Sequence, residues 1–293
     1  MSSSFMPSSD CDRIWLALAI GNSRLHWAWF QDNQFQGSWK TPHLSAAEVK
    51  SLQIGHWNFP KTLKQGTAES ADDRQMDAAA PAYEQLQDYL CEHPLRSPLE
   101  IWIGSVVPQQ LQLWQGYAGV RSLSLDQIPL QGTYSTLGVD RALALLGAGE
   151  TYSWPVLVID AGTALTFTGG QNRTLIGGAI LPGLSLQRRS LAQNTADLAP
   201  HLNFASNLAP ILPQRWALNS TDAINSGITY TVLAGVRDFI EAWWQQFPGS
   251  AVVLTGGDRI PLLAQLQTQF PQLAQSLQHD ANLIFQGIHF CQQ

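Results

Sequence analysis

The sequence predicts an α/β protein of two similar subdomains, each opening with the same three-strand meander. Two observations carry that reading. "LALAIGNSRLHW" and "LVIDAGTALTF" follow the same plan, an apolar strand, a glycine turn and an alternating strand, and aligning Gly21 with Gly162 sets Asn22 against Thr163 and Ala19 against Asp160. The period between these copies is too long for a solenoid, so the repeat marks two subdomains. The composition agrees: with 293 residues and 45% hydrophobic content the chain can bury a large core.

The elements follow in chain order. "IWLALAI", "RLHWAWF" and, after the turn "QDNQ", "FQGSWKT" alternate as strands of an antiparallel meander. A helix-leaning stretch follows, and "GTAESADDRQMDAAAP" is polar enough for a surface loop. "AYEQLQDYLCEH" has helical spacing, "LEIWIGSVVP" reads as a buried strand stopped by Pro108, and "VRSLSL" as another strand. "LGVDRALALLGAGETY" starts as a turn and becomes a helix, and the subdomain boundary falls at this turn. The second meander runs through "VLVIDAGTALTFTGGQNRTLIGGAILPG". Beyond Pro182, "LSLQRRSLAQNTADL" is helical. "STDAINSGITYTVLAGVRDFIEAWWQQF" is a long helix that Ser220 or Thr221 would cap, with Asp222 favoured in its first turn. "AVVLTGGD" is a buried strand ending in a Gly-Gly turn, and "LIFQGIHF" is short and apolar.

Composition also excludes. A net charge of −6 argues against nucleic acid as a ligand, because a phosphate backbone needs a basic face. It leaves room for a nucleotide held by backbone N–H groups and a local cation. Cys11, Cys91 and Cys291 lack metal-ligand spacing and read as free thiols of a reducing cytoplasm. No apolar run is long enough to cross a bilayer, and "MSSSFMPSSDCDR" reads as a polar tail. The expectation is a cytoplasmic protein with no membrane and no nucleic-acid partner. The 11 tryptophans read as core and interface, and the seven histidines show no transition-metal pairing.

The chemistry gathers at the turns. Glycine lets the backbone approach a ligand, and successive N–H groups form an anion-binding nest. Asn22, Ser23 and Thr163 add donors, so two such turns facing each other would grip a polyphosphate. Either turn alone is an ordinary turn; the repeat points to function. Asp160 ends an apolar strand and needs a partner, a cation or a hydrogen-bond network, or else it bonds the N–H groups of its own turn. Asp140 could take the proton of a hydroxyl attacking phosphorus, and Arg141 could bind an anionic oxygen through two parallel hydrogen bonds. Equally, Asp140 could be a first-turn helix charge and Arg141 a solvated one. "LTGGD", with Gly256 and Gly257, would suit the close approach of an adenine or ribose, or simply end a strand.

Taken in order, "IGNSRLHW", "SVVP", "YSTLGVDRA", "VIDAGTALTF", "IGGAILPGL", "NSTDAINSG" and "LTGGD" resemble the type III pantothenate kinases of the actin-like, sugar-kinase-like ATPase superfamily. The resemblance covers nearly the whole chain after about residue 13. It implies two ribonuclease-H-like subdomains, each a mixed β-sheet flanked by helices, with the active cleft between them: a tail over 1–13, then 14–137 and 138–293. It implies ATP-dependent phosphorylation of pantothenate, the first step of coenzyme A biosynthesis, by a homodimer using Mg2+ with ATP and a monovalent cation, K+ or NH4+. Ala19, Ile20, Gly21, Asn22, Ser23, Arg24 and His26 match the first phosphate loop. Gly162, Thr163, Gly256 and Gly257 fall on the ATP side. Gly138, Val139, Asp140 and Arg141 match the pantothenate-binding turn, with Asp140 as proton acceptor. Asp160 matches the monovalent-cation ligand, and Ser220 stands where a substrate-contacting Thr is usual. Tyr134 resembles a substrate-lining Tyr, set closer to "LGVDR" than the family places it.

The chain departs from the pattern at Ala19, where the family has an Asp that helps hold hydrated magnesium, and at His26, where a Lys is common. Ala19 supports an alternative, a non-catalytic regulatory relative of the same fold similar to the Bvg accessory factors. Another phosphotransferase or an ATP hydrolase is a third reading.

Overall fold

Strand β1 (Ile14–Ile20) carries almost nothing but apolar side chains because it is central in its sheet and covered on both faces. It pairs antiparallel with β2 (Leu25–Gln31), which pairs with β3 (Gln34–Thr41), completing the expected first meander. Asp32 and Asn33 turn β2 into β3 with positive φ (48° and 63°), as a tight two-residue hairpin requires. The structure, a computed structural model, describes residues 13–54, 57, 59, 82–194 and 211–293. The 1–12 tail with Cys11, the loop over 66–81 and the end of the helical segment beyond Asn194 lie outside the described residues.

After α1 (Ala46–Ile54) and α2 (Ala82–Glu92), β4 (Glu100–Ser105) returns parallel to β1. Pro108 begins the short helix α3 (Pro108–Gln112), where its missing N–H costs nothing. β5 (Val120–Leu123) closes a sheet of order β3-β2-β1-β4-β5.

Helix α4 (Val139–Tyr152) then leads into β6 (Val156–Ala161), β7 (Ala164–Gln171) and β8 (Thr174–Pro182), a second antiparallel meander. Helices α5 (Leu184–Asn194) and α6 (Ser220–Gln246) follow, then β9 (Ala251–Thr255) parallel to β6. With α7 (Arg259–Gln269), α8 (Pro271–Ala274) and β10 (Gln278–His279), the second sheet has the order β10-β9-β6-β7-β8. Read from the hairpin edge, that is the first sheet's topology again, so the repeat seen in the sequence is a repeat of fold. The molecule is α/β, with two mixed five-stranded sheets flanked by helices.

The long helix corrects one expectation. Its cap is Asn219, whose side-chain oxygen accepts from the Asp222 N–H at 2.9 Å, and Ser220 is already the first helical residue. "LIFQGIHF" lies in helix α9 (Leu283–Gln292). It packs on α4 and on the first sheet, so one buried cluster joins Trp15, Ala17 and Phe30 to Leu143 and Val158 and to Leu283, Phe285 and Ile288. His289 continues a stack made by Trp15 and Phe30, with the Phe30 and His289 ring centroids 5.5 Å apart.

Candidate active site

The two glycine turns close the same ends of β1 and β6, and they meet. Ser23 Oγ and Thr163 Oγ1, from residues far apart in the chain, are hydrogen-bonded at 3.0 Å. The turns are not the same length. Ile20 pairs with Leu25 and Ala161 with Leu165, so the first turn holds one residue more than the second. Ser23, rather than the aligned Asn22, therefore faces Thr163. His43 supports the first turn. Its Nε2 lies 2.8 Å from the Gly21 carbonyl oxygen, which can only accept, so Nε2 carries the proton. No motif marks His43 in the sequence. The second turn is braced from just beyond β8, where the Gly183 N–H donates to the Thr163 carbonyl at 2.9 Å.

Ala19 is 7% exposed and packs in the apolar cluster under α4, the position matched by Asp160 in the second sheet. His26 is its partner on β2, and Lys40 is the partner of His26 on β3, so these residues form one row across the first sheet. Asn22 is exposed, while Arg24 and His26 are half-buried beside it.

Asp140 enters from α4, whose N-cap is Gly138. The apolar face of that helix fixes its position: Val139 and Leu143 cover Gly104 on β4, and an added Cβ on Gly138 would run into the Asp140 carboxylate. Asp140 Oδ1 accepts from the Arg141 N–H at 2.8 Å. Burial nevertheless raises its pKa above the ordinary carboxylate value, against the lowering by that N–H and by the Arg141 charge. Asp160, at the end of β6, is pushed up to about 7, first by burial and then by the neighbouring Asp140 carboxylate. The two acids therefore share one electrostatic neighbourhood, in which the Asp140 charge is felt at Asp160.

Gly256 forms the wall beside Asp160. Its φ is +88°, and a Cβ there would meet the Asp160 carboxylate and the Ala161 carbonyl, so both conformation and space demand glycine. Gly257, next in that turn, has open space where a side chain would be.

Arg141 corrects the solvated reading offered for it: it is 7% exposed. Nε donates to Thr168 Oγ1 (3.0 Å), Nη1 to Tyr134 Oη (3.1 Å) and Nη2 to the Phe167 carbonyl (3.2 Å). These bonds tie the first turn of α4 to β7 and hold the half-exposed Tyr134 ring over it. Ser220 lies exposed at the start of α6, and none of the described contacts links it to the turns.

The Asp160 carboxylate makes a stability prediction with a definite sign. Its pKa in the fold lies above its unfolded value of about 3.9, so ionisation penalises the folded state. The penalty is absent below about pH 4, grows with rising pH and is complete above about 7. Asp160→Asn should therefore raise the melting temperature at about pH 8 in a buffer free of alkali cations, and leave it unchanged near pH 4. A variant no more stable than the parent at the higher pH would show that the carboxylate is already compensated in the apo protein.

The sequence matches the family described as type III pantothenate kinase over residues 51–242. A type III pantothenate kinase of Nostoc sp. is 46% identical over 277 residues, covering 94% of this chain and 92% of the relative. One of Synechocystis sp. is 38% identical, with 96% and 91% covered. Among solved structures, a Baf family protein of Campylobacter jejuni superposes with a TM-score of 0.55 at 17% identity, covering 94% of this chain and 96% of that one. A Sinorhizobium meliloti protein assigned as a 2-dehydro-3-deoxygalactonokinase gives 0.53 at 13% identity, with 95% of each chain covered. At those identities the two structures share the fold.

Proposed function

This chain belongs to the type III pantothenate kinase family, and from that premise we propose that it phosphorylates pantothenate to 4′-phosphopantothenate with ATP, Asp140 acting as the base. The observation that carries the reading is the meeting of the two glycine turns at Ser23 and Thr163, with Asp140 and Asp160 in one neighbourhood beside them. The turns offer backbone N–H groups and hydroxyls to a polyphosphate. The N-terminus of α4 presents Asp140 to the hydroxyl of the second substrate, which the Gly138–Arg141 turn and Tyr134 help to hold. The hydroxyl oxygen forms its bond to the γ-phosphorus as the bond from that phosphorus to the β–γ bridging oxygen breaks. The proton passes to Asp140 and ADP leaves. The raised pKa of Asp140 suits a proton acceptor, since a more basic carboxylate takes a hydroxyl proton more readily.

A monovalent cation fits Asp160. The carboxylate is a hard oxygen donor, and no cationic side chain offsets its burial among the described residues. Potassium or ammonium bound there would supply the missing positive charge. Magnesium arrives as the ATP complex, and phosphate oxygens and water supply most of its ligands. With Ala19 packed among apolar side chains, the first turn adds no carboxylate to that set. The same observation favours the second reading, a regulatory relative that does not turn over.

A homodimer is supported by apolar side chains left in water. Trp216 is 82% and Leu218 98% exposed ahead of α6, and Ile180 is 64% exposed on the edge strand β8. Sedimentation velocity reads the assembly.

The deciding assay incubates the protein with ATP, pantothenate and potassium while magnesium is titrated, and follows phosphopantothenate by mass. Product dependent on both substrates supports the kinase. A folded protein that binds ATP and makes no product with any monovalent cation is the regulatory relative.

A further inference from the structure

A second charged pair lies beside the second glycine turn, on elements that the turns do not include. Asp258 occupies the N-cap position of α7, where an aspartate side chain ordinarily accepts from the first-turn N–H groups. Here it makes no such bond. Its backbone N–H donates instead to the Ala161 carbonyl at 2.9 Å, which pins Asp258 beside the second glycine turn. Arg188 comes to the same place from α5. That helix starts on the turn, through the Gly183 bond to Thr163, and Leu184 anchors it in the core. Arg188 is one helical turn further on, and its Nε is buried with no hydrogen-bond partner among the described residues.

The two charges are neighbours. Asp258 holds the Arg188 pKa up and Arg188 holds that of Asp258 down, in each case against a larger push from burial. Neither the hydrogen bonds nor the ion pairs of the described residues join them. A guanidinium with an unmade, desolvated bond is costly unless an anion completes it. The anion that the neighbouring turn is shaped to hold is a phosphate.

We propose that Arg188 is a phosphate-binding residue of the nucleotide site, taking a non-transferred phosphate of the triphosphate where it passes the second turn. Asp258 is a positioning residue that keeps the guanidinium aimed there. This rests on the kinase reading and adds to it a residue outside both glycine turns.

The test compares the parent with Arg188→Met, Arg188→Lys and Asp258→Asn. Two quantities are measured: the KM for each substrate, and direct binding of ATP and of inorganic tripolyphosphate by calorimetry without pantothenate. Arg188→Met should raise the KM for ATP about tenfold, the loss of one charge-assisted bond, and weaken tripolyphosphate binding by a similar factor. The KM for pantothenate should stay within about twofold. Arg188→Lys should recover part of the loss, and Asp258→Asn should show a smaller loss in the same direction. Unchanged tripolyphosphate binding in Arg188→Met, or equal rises in both KM values, overturns the assignment. Because calorimetry needs no turnover, a parent that binds ATP but forms no product fails the kinase reading alone, and the binding comparison still decides the role of Arg188.

Discussion

Asp140→Asn should cut kcat by about 10²- to 10⁴-fold, the range associated with loss of a positioned general base, while ATP binding stays near the parent value. The substitution keeps the size of the side chain and its place in the first turn of α4, and removes only the ability to take a proton. Burial raises the carboxylate's pKa, so ionising it costs the fold something, and the amide should be tolerated or slightly stabilising at neutral pH. The variant is therefore a catalytic lesion in an intact protein. Turnover within about tenfold of the parent, with the melting temperature unchanged, would remove Asp140 from the role of base. The pH profile gives a second handle. Protonation of Asp140 should switch the parent off on its acid side, above the pH expected of an ordinary aspartate.

Gly287→Ala should be the most damaging small substitution outside the site. Helices α4 and α9 approach so closely that a Cβ on Gly287 would overlap the Leu143 carbonyl, and one on Gly147 would overlap the Leu283 carbonyl. Both obstacles are backbone, which cannot swing aside as a side chain tip would. Overpacking of this kind costs about 1–3 kcal/mol and at times more, so the urea midpoint should fall clearly with the m-value unchanged. Because α4 carries Asp140, turnover should fall as well. A midpoint equal to the parent's would mean that the helices have room to separate.

The repeated hairpins, the glycine turns and the placement of Asp140 were legible in the sequence for a common reason. Alternation with period two, broken by Gly or Asn-Gly-type turns, is a local signal, and so is an acidic residue between a glycine and an apolar helical run. What was not legible depends on partners far along the chain. Helix α9 is apolar on most of its faces because it lies between α4 and the first sheet, so "LIFQGIHF" shows no period to choose helix over strand. The extra residue in the first turn appears only once Ile20 is paired with Leu25. The burial of Arg141 depends on Thr168 and Phe167 on β7, and His43 reaches Gly21 from beyond β3. The Asn219 cap was missed because three neighbouring residues, Asn219, Ser220 and Thr221, all have capping side chains, and only the backbone conformation decides between them.

The place of α9 sets an order of events during synthesis. Trp15, Phe30 and Ala17 on the first sheet are covered by Leu283, Phe285, Ile288 and His289. A ribosome delivers β1 to β5 long before it delivers those residues. Until they emerge, the nascent first sheet shows an uncovered aromatic face, the kind of surface that chaperones bind and that drives aggregation. The first half of this protein is made first and finished last.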